Sequence, residues 1–209
     1  MAAMDQAKLN NMCSRINNSA QSYVSNVNAS VKELESKFNE LWVSNSSKEL
    51  AGEITECVSS LADEIIRVFS QKNESISLAV RNFNSQEQES ISYSGFSFGK
   101  PNSTISVNAT LPNGKVGVAD GADLDSINVP MTTMINKIDS NLDEIKNAVS
   151  SSDAFDSNEQ EGLNTSINRI KTNFNNSMNE LKNSLANRMS GEISSRQELD
   201  RANADLMNS

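Results

Sequence analysis

Apolar residues recur at steps of three and four along most of the chain, which is the spacing of one face of an α-helix. The pattern predicts helices over about 6–41, 47–86, 130–150 and 159–205. The apolar stripe is narrow, and the other faces are mostly Asn, Ser, Lys and Glu. Such stripes are typical of long helices that pack side by side in a bundle. The first helix has the clearest stripe, at Leu9, Cys13, Ile16, Ala20, Tyr23, Val27, Val31, Leu34, Phe38 and Leu41.

The pattern breaks between the first two helices at Trp42, the only tryptophan of the chain. Val43 and four small polar residues follow, and a new apolar period begins at Leu50. This break predicts a helical hairpin with a bulky residue at its bend. Ser46 or Ser47 is the expected N-cap of the second helix.

The middle of the chain has strand periodicity instead. Residues 91–98 and 104–111 alternate apolar and small polar side chains, and Asn113-Gly114 precedes a short apolar run at 116–118. An Asn-Gly turn between alternating segments predicts a β-hairpin. Pro130 then suits the first turn of the third helix.

The break between the last two helices resembles the first bend. Phe155-Asp156-Ser157-Asn158 with Leu163 parallels Trp42-Val43-Ser44-Asn45 with Leu50, and the offset is 113 residues. Before the bends, apolar positions correspond at an offset of 111. We interpret this as an internal duplication, which predicts that Trp42 and Phe155 occupy equivalent positions in two related hairpins.

Together these elements predict an all-α fold, in which two long antiparallel helical hairpins form an elongated four-helix bundle with a small β-hairpin insertion in the middle. The expected divisions are a first hairpin over 1–90, the β insertion over 91–128 and a second, degenerate hairpin over 129–209. At 1.5 Å per residue the longer helices span roughly 50–70 Å, so we expect a rod.

Composition narrows the function further. The formal net charge is −9, which argues against binding to nucleic acid or to anionic lipid. With no histidine and two cysteines, Cys13 and Cys57, the chain lacks the usual metal ligands and nucleophile pairs, so we expect no enzyme, cofactor or metal. No apolar stretch is long enough to insert stably into a membrane, and the N-terminus lacks the features of a signal peptide. Both cysteines are expected to be buried thiols.

The acidic, histidine-free hairpin with Trp42-Val43-Ser44 at its bend resembles the WXG family of type VII secretion proteins, with serine in place of the family's glycine. Residues 6–90 fit the family pattern, and 130–205 fit it as a degenerate copy with Phe155-Asp156-Ser157 at the bend. The resemblance implies export without a cleaved signal peptide, from a cytoplasmic pool. It also implies pairing with other helical WXG-like proteins or a second copy, and partnership with an effector toxin or the secretion ATPase.

Family members often carry a Tyr-x-x-x-Asp/Glu export signal, which this chain lacks. Phe83 and Glu87, four residues apart at the end of the second helix, form the nearest approximation and are the candidate export signal.

Two other functions remain open. One is an α-helical pore-forming toxin component with a β-tongue, although residues 91–118 are rich in Ser, Asn and Gly and poor in the apolar residues that a tongue needs. The other is a filament, phage or flagellar structural protein.

Overall fold

The computed structural model describes residues 4–152 and 157–207, and the side chains of 157–160 lie outside that description. The described chain is mainly helical, which confirms the predicted all-α fold. The helices are α1 (Gln6–Leu41), α2 (Asn45–Glu87), α3 (Asp125–Ser150) and α4 (Ser157–Met207). The strands β1 (Trp42–Val43) and β2 (Gly117–Val118) form one antiparallel pair.

The helices lie side by side as a bundle, in which α3 packs on α1, and α4 packs on both α2 and α3. Each of these pairs is antiparallel, because partner numbers rise on one helix as they fall on the other. For α1 and α3 the contacts are Arg15–Ser151 and Asn26–Asn141. For α2 and α4 they are Glu53–Arg188 and Glu64–Arg169. For α3 and α4 they are Thr132–Lys182 and Asp143–Lys171. Since three residues join α1 to α2, these two are antiparallel as well. Consequently α2 and α3 run in the same direction, and the chain between them must return along the bundle.

A single continuous core fills the bundle and contains residues of all four helices. Of the ten apolar positions predicted for α1, nine are buried and the last, Leu41, is partly buried. Phe96 and Ile105 of the middle segment belong to the same core. The sequence therefore identified the inward face of α1 correctly, and the middle segment adds to the core rather than standing apart from it.

Short polar side chains cap the first two helices. Asp5 Oδ1 accepts hydrogen bonds from the Ala7 and Lys8 amides, at 2.8 and 3.2 Å. Ser44, not Ser46 or Ser47, caps α2: its hydroxyl accepts from the Ser47 amide, and the Ser47 hydroxyl accepts from the Ser44 amide. A reciprocal capping box of this kind satisfies two amide groups at the helix start, which favours Ser44 over its neighbours.

The third helix begins five residues earlier than predicted, so Pro130 lies inside α3 rather than at its start. The Asp123 carboxylate accepts from the Asp125 amide, and the Leu124 carbonyl accepts from Ile127 and Asn128. These bonds begin the helix upstream of the proline. As the sixth residue of α3, Pro130 has no amide hydrogen to donate to the Ser126 carbonyl, so this turn of the helix lacks one main-chain hydrogen bond.

The middle segment contributes to the small sheet in a different way from the one predicted. Trp42 pairs with Val118 and Val43 with Gly117. The strand at 117–118 therefore pairs with the bend between α1 and α2, and not with another strand of the middle segment. In the described chain, residues 89–116 carry no strand. Their main-chain groups bond instead to side chains of α1 and α2, which removes the need for a second strand in the insertion.

Among the described residues, no helix is both long and apolar enough to cross a lipid bilayer.

Candidate functional site at the Trp42 bend

The bend is compact because its largest side chain is completely buried. Trp42 is 0% exposed, its amide donates to the Phe38 carbonyl, and its ring lies 6.0 Å from the Phe38 ring. Its neighbour Val43 is also 0% exposed. The indole therefore anchors the turn from inside, and it is not available as a surface contact for a partner.

One carboxylate holds the two distinctive residues of the bend. Glu192 of α4 accepts a hydrogen bond from Trp42 Nε1 through Oε2 at 2.8 Å. It accepts another from Ser44 Oγ through Oε1 at 2.6 Å. Hydrogen bonds to a charged acceptor are the stronger kind in proteins. We call Trp42, Ser44 and Glu192 the bend clamp.

Two arginines on the same face of α4 flank the bend clamp at four-residue spacing. Arg188 binds Glu53 at 2.8 Å, and so reaches the first turns of α2. Arg196 donates to the Val118 carbonyl at 2.9 Å and pairs with Asp120 at 2.7 Å. Residues four apart face the same way on a helix. One stripe of α4 therefore holds the start of α2, the bend and β2 together.

The returning segment, residues 91–108, lies between α1 and α2, and we call it the strap. Four amide side chains of α1, spaced 11 residues apart, each accept a hydrogen bond from a strap N–H. The pairs are Gln6 with Ser92 at 2.6 Å, Asn17 with Ser97 at 3.0 Å, Asn28 with Asn102 at 2.7 Å and Asn39 with Asn108 at 2.6 Å. Three of the four also donate to a strap carbonyl: Gln6 to Ser92, Asn17 to Gly95 and Asn39 to Ser106.

The spacing of this amide ladder matches the geometry of the two chains. Eleven helical residues advance about 16.5 Å at 1.5 Å per residue. Five residues of extended chain advance about the same distance at 3.3 Å per residue. The first three strap donors, Ser92, Ser97 and Asn102, are five residues apart, and the bonds of Asn39 bracket Val107, five residues further on. The strap is therefore extended along the whole of α1.

Side chains of α2 hold the other edge of the strap. Asn84 bonds both the amide and the carbonyl of Ile91, at 2.9 and 2.7 Å. Asn73 Oδ1 accepts from the Tyr93 hydroxyl at 2.7 Å and from the Phe96 amide at 3.1 Å. The strap thus fills the side of the bundle between α1 and α2, with its main chain satisfied by side chains rather than by another strand.

Aromatic contacts fix the strap where it crosses α2. Phe69 lies 5.9 Å from Phe96 in an edge-to-face arrangement and 4.4 Å from Phe98 in a stacked one. Burial of aromatic surface is the largest apolar contribution that a side chain can make. Polar bonds therefore set the register of the strap, and Phe96 and Phe98 supply its apolar attachment.

The candidate export signal lies at the end of the molecule opposite the bend. Phe83 is half-buried, and Glu87 is exposed as the last residue of α2. Between them, Asn84 is occupied in holding Ile91. The structure does not bring Phe83 and Glu87 near Trp42 or Ser44.

The second predicted bend is only partly described. Phe155 lies outside the described residues, and Ser157 is the first residue of α4, with its side chain outside the description. The equivalence of Trp42 and Phe155 therefore stays a prediction. Residues that the two offsets relate, such as Val27 and Ile138 or Leu50 and Leu163, are buried on both sides.

Burial changes the acidity of several side chains. It raises the pKa of the Cys57 thiol to about 11 and that of the Tyr23 hydroxyl well above its usual value. Burial also raises the pKa of the Cys13 thiol, and the nearby polar groups of residues 93–95 of the strap partly offset that rise. In the part of the chain that the structure describes, no group of three or more Cys, Asp or Glu side chains could hold a metal ion.

Sequence reasoning found Trp42 and Ser44 but missed Glu192 and the amide ladder. The four-residue spacing of Arg188, Glu192 and Arg196 is visible in the sequence, yet such charges usually belong to a solvated helix face. The 11-residue spacing of Gln6, Asn17, Asn28 and Asn39 is also visible, but three of these are ordinary-looking members of an Asn-rich surface.

No family model matches the chain, and neither a curated protein nor a solved structure matches it.

Proposed function

We propose that the protein is a non-enzymatic component of a type VII secretion system, either a secreted substrate or a partner that targets an effector, acting through contacts between helices. The bend carries the proposal. Trp42-Val43-Ser44 joins two long antiparallel helices, and one carboxylate binds the side chains of the first and third residues. The tripeptide thus has a specific structural role at the position where the WXG family has its motif.

The bend also gives a reason why serine can replace the family's glycine. Ser44 has φ −153° and ψ −179°, an extended conformation that any residue adopts without strain. Its hydroxyl caps α2 and donates to Glu192, which a glycine could not do. The departure from the motif therefore adds two hydrogen bonds and needs no special backbone.

Because Trp42 is buried, partner binding has to use the outer faces of the helices rather than the indole. The expected partners are another WXG-like hairpin protein, an effector toxin or the secretion ATPase. Phe83 and Glu87 remain the proposed export signal, since both lie in the last turn of α2, away from the bend clamp.

Export assays test the proposal directly. The full chain, expressed in a bacterium with a type VII system, should reach the medium with the secretion ATPase intact and stay in the cells when that ATPase is deleted. The double variant Phe83→Ala, Glu87→Ala should reduce export, whereas the matched control Asn82→Ala, Glu89→Ala should not. Equal export from the ATPase-deleted strain would contradict the proposal.

A liposome assay distinguishes the secretion proposal from the main alternative, a pore-forming toxin component. Release of an entrapped dye by the full chain would favour a pore-forming component over the secretion proposal. We expect no release, because the strap faces solvent with Ser and Asn, and its apolar Phe96 and Ile105 are already buried against the helices.

A further inference from the structure

The main chain of the strap is held to the helices by side chains. Among the described residues, none of its N–H or C=O groups bonds another main-chain group. Its N–H groups donate instead to side chains of α1 and α2, at Ile91, Ser92, Phe96, Ser97, Asn102, Ile105, Ser106 and Asn108. Detaching the strap therefore breaks no hydrogen bond inside a helix or between two strands.

The apolar attachment of the strap is shallow, and both of its ends are exposed. Within residues 91–108, only Phe96, Pro101 and Ile105 are buried. Every residue of 85–90 is exposed before the strap, and every residue of 108–110 is exposed at its other end. A segment with few buried contacts and exposed flanks is typical of the local units that open while the rest of a protein stays folded.

The helices keep their own packing without the strap. Helix α1 packs on α3, α2 packs on α4, and α3 packs on α4. Direct packing of α1 against α2 is minimal in the described chain, and the bend clamp lies at one end of this pair. Loss of the strap would therefore leave the bundle assembled and uncover a groove between α1 and α2.

The strap covers one side chain on each wall of this groove. On α1, Cys13 is 2% exposed and lies beside the polar groups of residues 93–95. On α2, Phe69 is 1% exposed and lies against the rings of Phe96 and Phe98. The covered surface is thus apolar on the α2 side and carries a thiol on the α1 side.

We propose that the strap is a lid that opens and closes as one unit over the groove between α1 and α2, while the four helices stay packed. The even spacing of the amide ladder is the reason for expecting a single unit, because every rung holds the same extended segment in one register. Loss of any rung then shifts the opening equilibrium of the whole strap. This inference is independent of the proposed secretion function.

Alkylation of Cys13 in the full chain reports the opening. Iodoacetamide has to reach the sulfur, and Cys13 is buried in the closed state, so its rate of alkylation follows the population of the open state. Mass spectrometry of peptides resolves Cys13 from Cys57. Cys57 is half-buried in a cleft between α2 and α4, away from the strap, and serves as the internal reference.

Two single substitutions distinguish opening of the whole strap from local fraying. Asn17 lies one helical turn from Cys13, whereas Asn39 lies about 39 Å from it along α1 at 1.5 Å per residue. Each makes two bonds to the strap. Asn17→Ala and Asn39→Ala should therefore each speed alkylation of Cys13 at least about threefold, with helical circular dichroism unchanged. The matched control is Asn18→Ala, at an exposed residue with no described bond to the strap, and it should leave the rate unchanged.

A disulfide lock tests the opposite direction. A β-carbon built on Gly99 of the strap lies 3.5 Å from Cγ2 of Val24 on α1. Cysteines at these two positions are close enough for a disulfide, whose β-carbons lie about 3.5–4.5 Å apart. In the double variant Val24→Cys, Gly99→Cys, the oxidised form should alkylate Cys13 at least about tenfold more slowly than the reduced form, because the lock prevents detachment of the strap.

Three results would overturn the proposal. The first is an alkylation rate of Cys13 that Asn17→Ala raises and Asn39→Ala does not, or that neither raises, because the strap would then not open as one unit. The second is an equal rate in the oxidised and reduced forms of the double variant. The third is a urea dependence of Cys13 alkylation as steep as that of global unfolding, since that slope measures the surface exposed and would show that the bundle opens as well.

Discussion

The bend clamp makes a quantitative prediction for Glu192→Ala. The substitution removes the acceptor for both Trp42 Nε1 and Ser44 Oγ, which lie 2.8 and 2.6 Å from the carboxylate. A hydrogen bond to a charged group contributes about 1.5–3 kcal/mol. Glu192 is partly exposed, so the lower part of that range applies to each bond. Two bonds at about 1.5–2 kcal/mol each lead us to expect the free energy of unfolding to fall by about 3–4 kcal/mol.

For a chain of this length, each kcal/mol corresponds to about 2–4 °C in Tm, so thermal unfolding should shift down by about 5–15 °C. Far-ultraviolet circular dichroism measures this shift. Tryptophan fluorescence locates it, because Trp42 is the only tryptophan and its emission should move to longer wavelength if water reaches the indole. Glu192→Gln keeps the side-chain volume and one acceptor oxygen, and it should lose about half as much stability.

The control is Glu198→Ala on the same helix, at a residue that is exposed beyond the clamp. It removes the same charge without a described bond to the bend, and surface substitutions of this kind usually change stability by less than about 0.5 kcal/mol. If Glu192→Ala and Glu198→Ala unfold at the same temperature, or if Trp42 emission is unchanged in a destabilised Glu192→Ala variant, then Glu192 does not hold the bend.

Two further predictions concern the strap and Cys57. The triple variant Asn17→Ala, Asn28→Ala, Asn39→Ala should speed hydrogen exchange in residues 92–108, because each amide side chain contributes about 0.5–1.5 kcal/mol to the attachment of the strap. The helical circular dichroism signal should change little. Exchange as slow as in the unsubstituted chain would refute the role of the amide ladder. The pKa of Cys57 near 11 keeps it a thiol at pH 8, so alkylation by iodoacetamide should be about 100-fold slower than for a thiol of pKa 9.0. Because folding raises this pKa, its stabilising contribution is complete below pH 9 and is lost as pH rises from about 9 to 11.

Helix positions were predictable from the sequence because apolar periodicity follows directly from burial on one face. The bounds of α1 agree with the prediction, and those of α2 differ by two residues or fewer. The start of α3 was not predictable from Pro130, because the residues that begin this helix, Asp123 and Leu124, do so through main-chain and carboxylate bonds that carry no apolar signal.

The course of the middle segment was mispredicted for a related reason. Alternating residues at 91–98 and 104–111 correctly indicated an extended chain, but alternation does not identify what satisfies its main-chain groups. Here the partners are amide side chains of two helices, and in the sequence they look like ordinary surface residues. Their role becomes visible only when the 11-residue spacing of the amides on α1 is matched with the five-residue spacing of the donors on the strap. Only residues 117–118 form a strand, because Trp42 and Val43 of the bend are extended beside them and pair with them.

The last 11 described residues of α4 raise a different physical question, because a helix of 11 residues has little stability of its own in water. Residues 197–207 are helical as a continuation of a 51-residue helix that the bundle has already nucleated. The last hydrogen bond that the structure gives between α4 and β2 is made by Arg196. Leu199, Leu206 and Met207 lie on an exposed part of the helix that contributes little to the core, so the helical conformation of these residues depends on the buried part of α4 that precedes them.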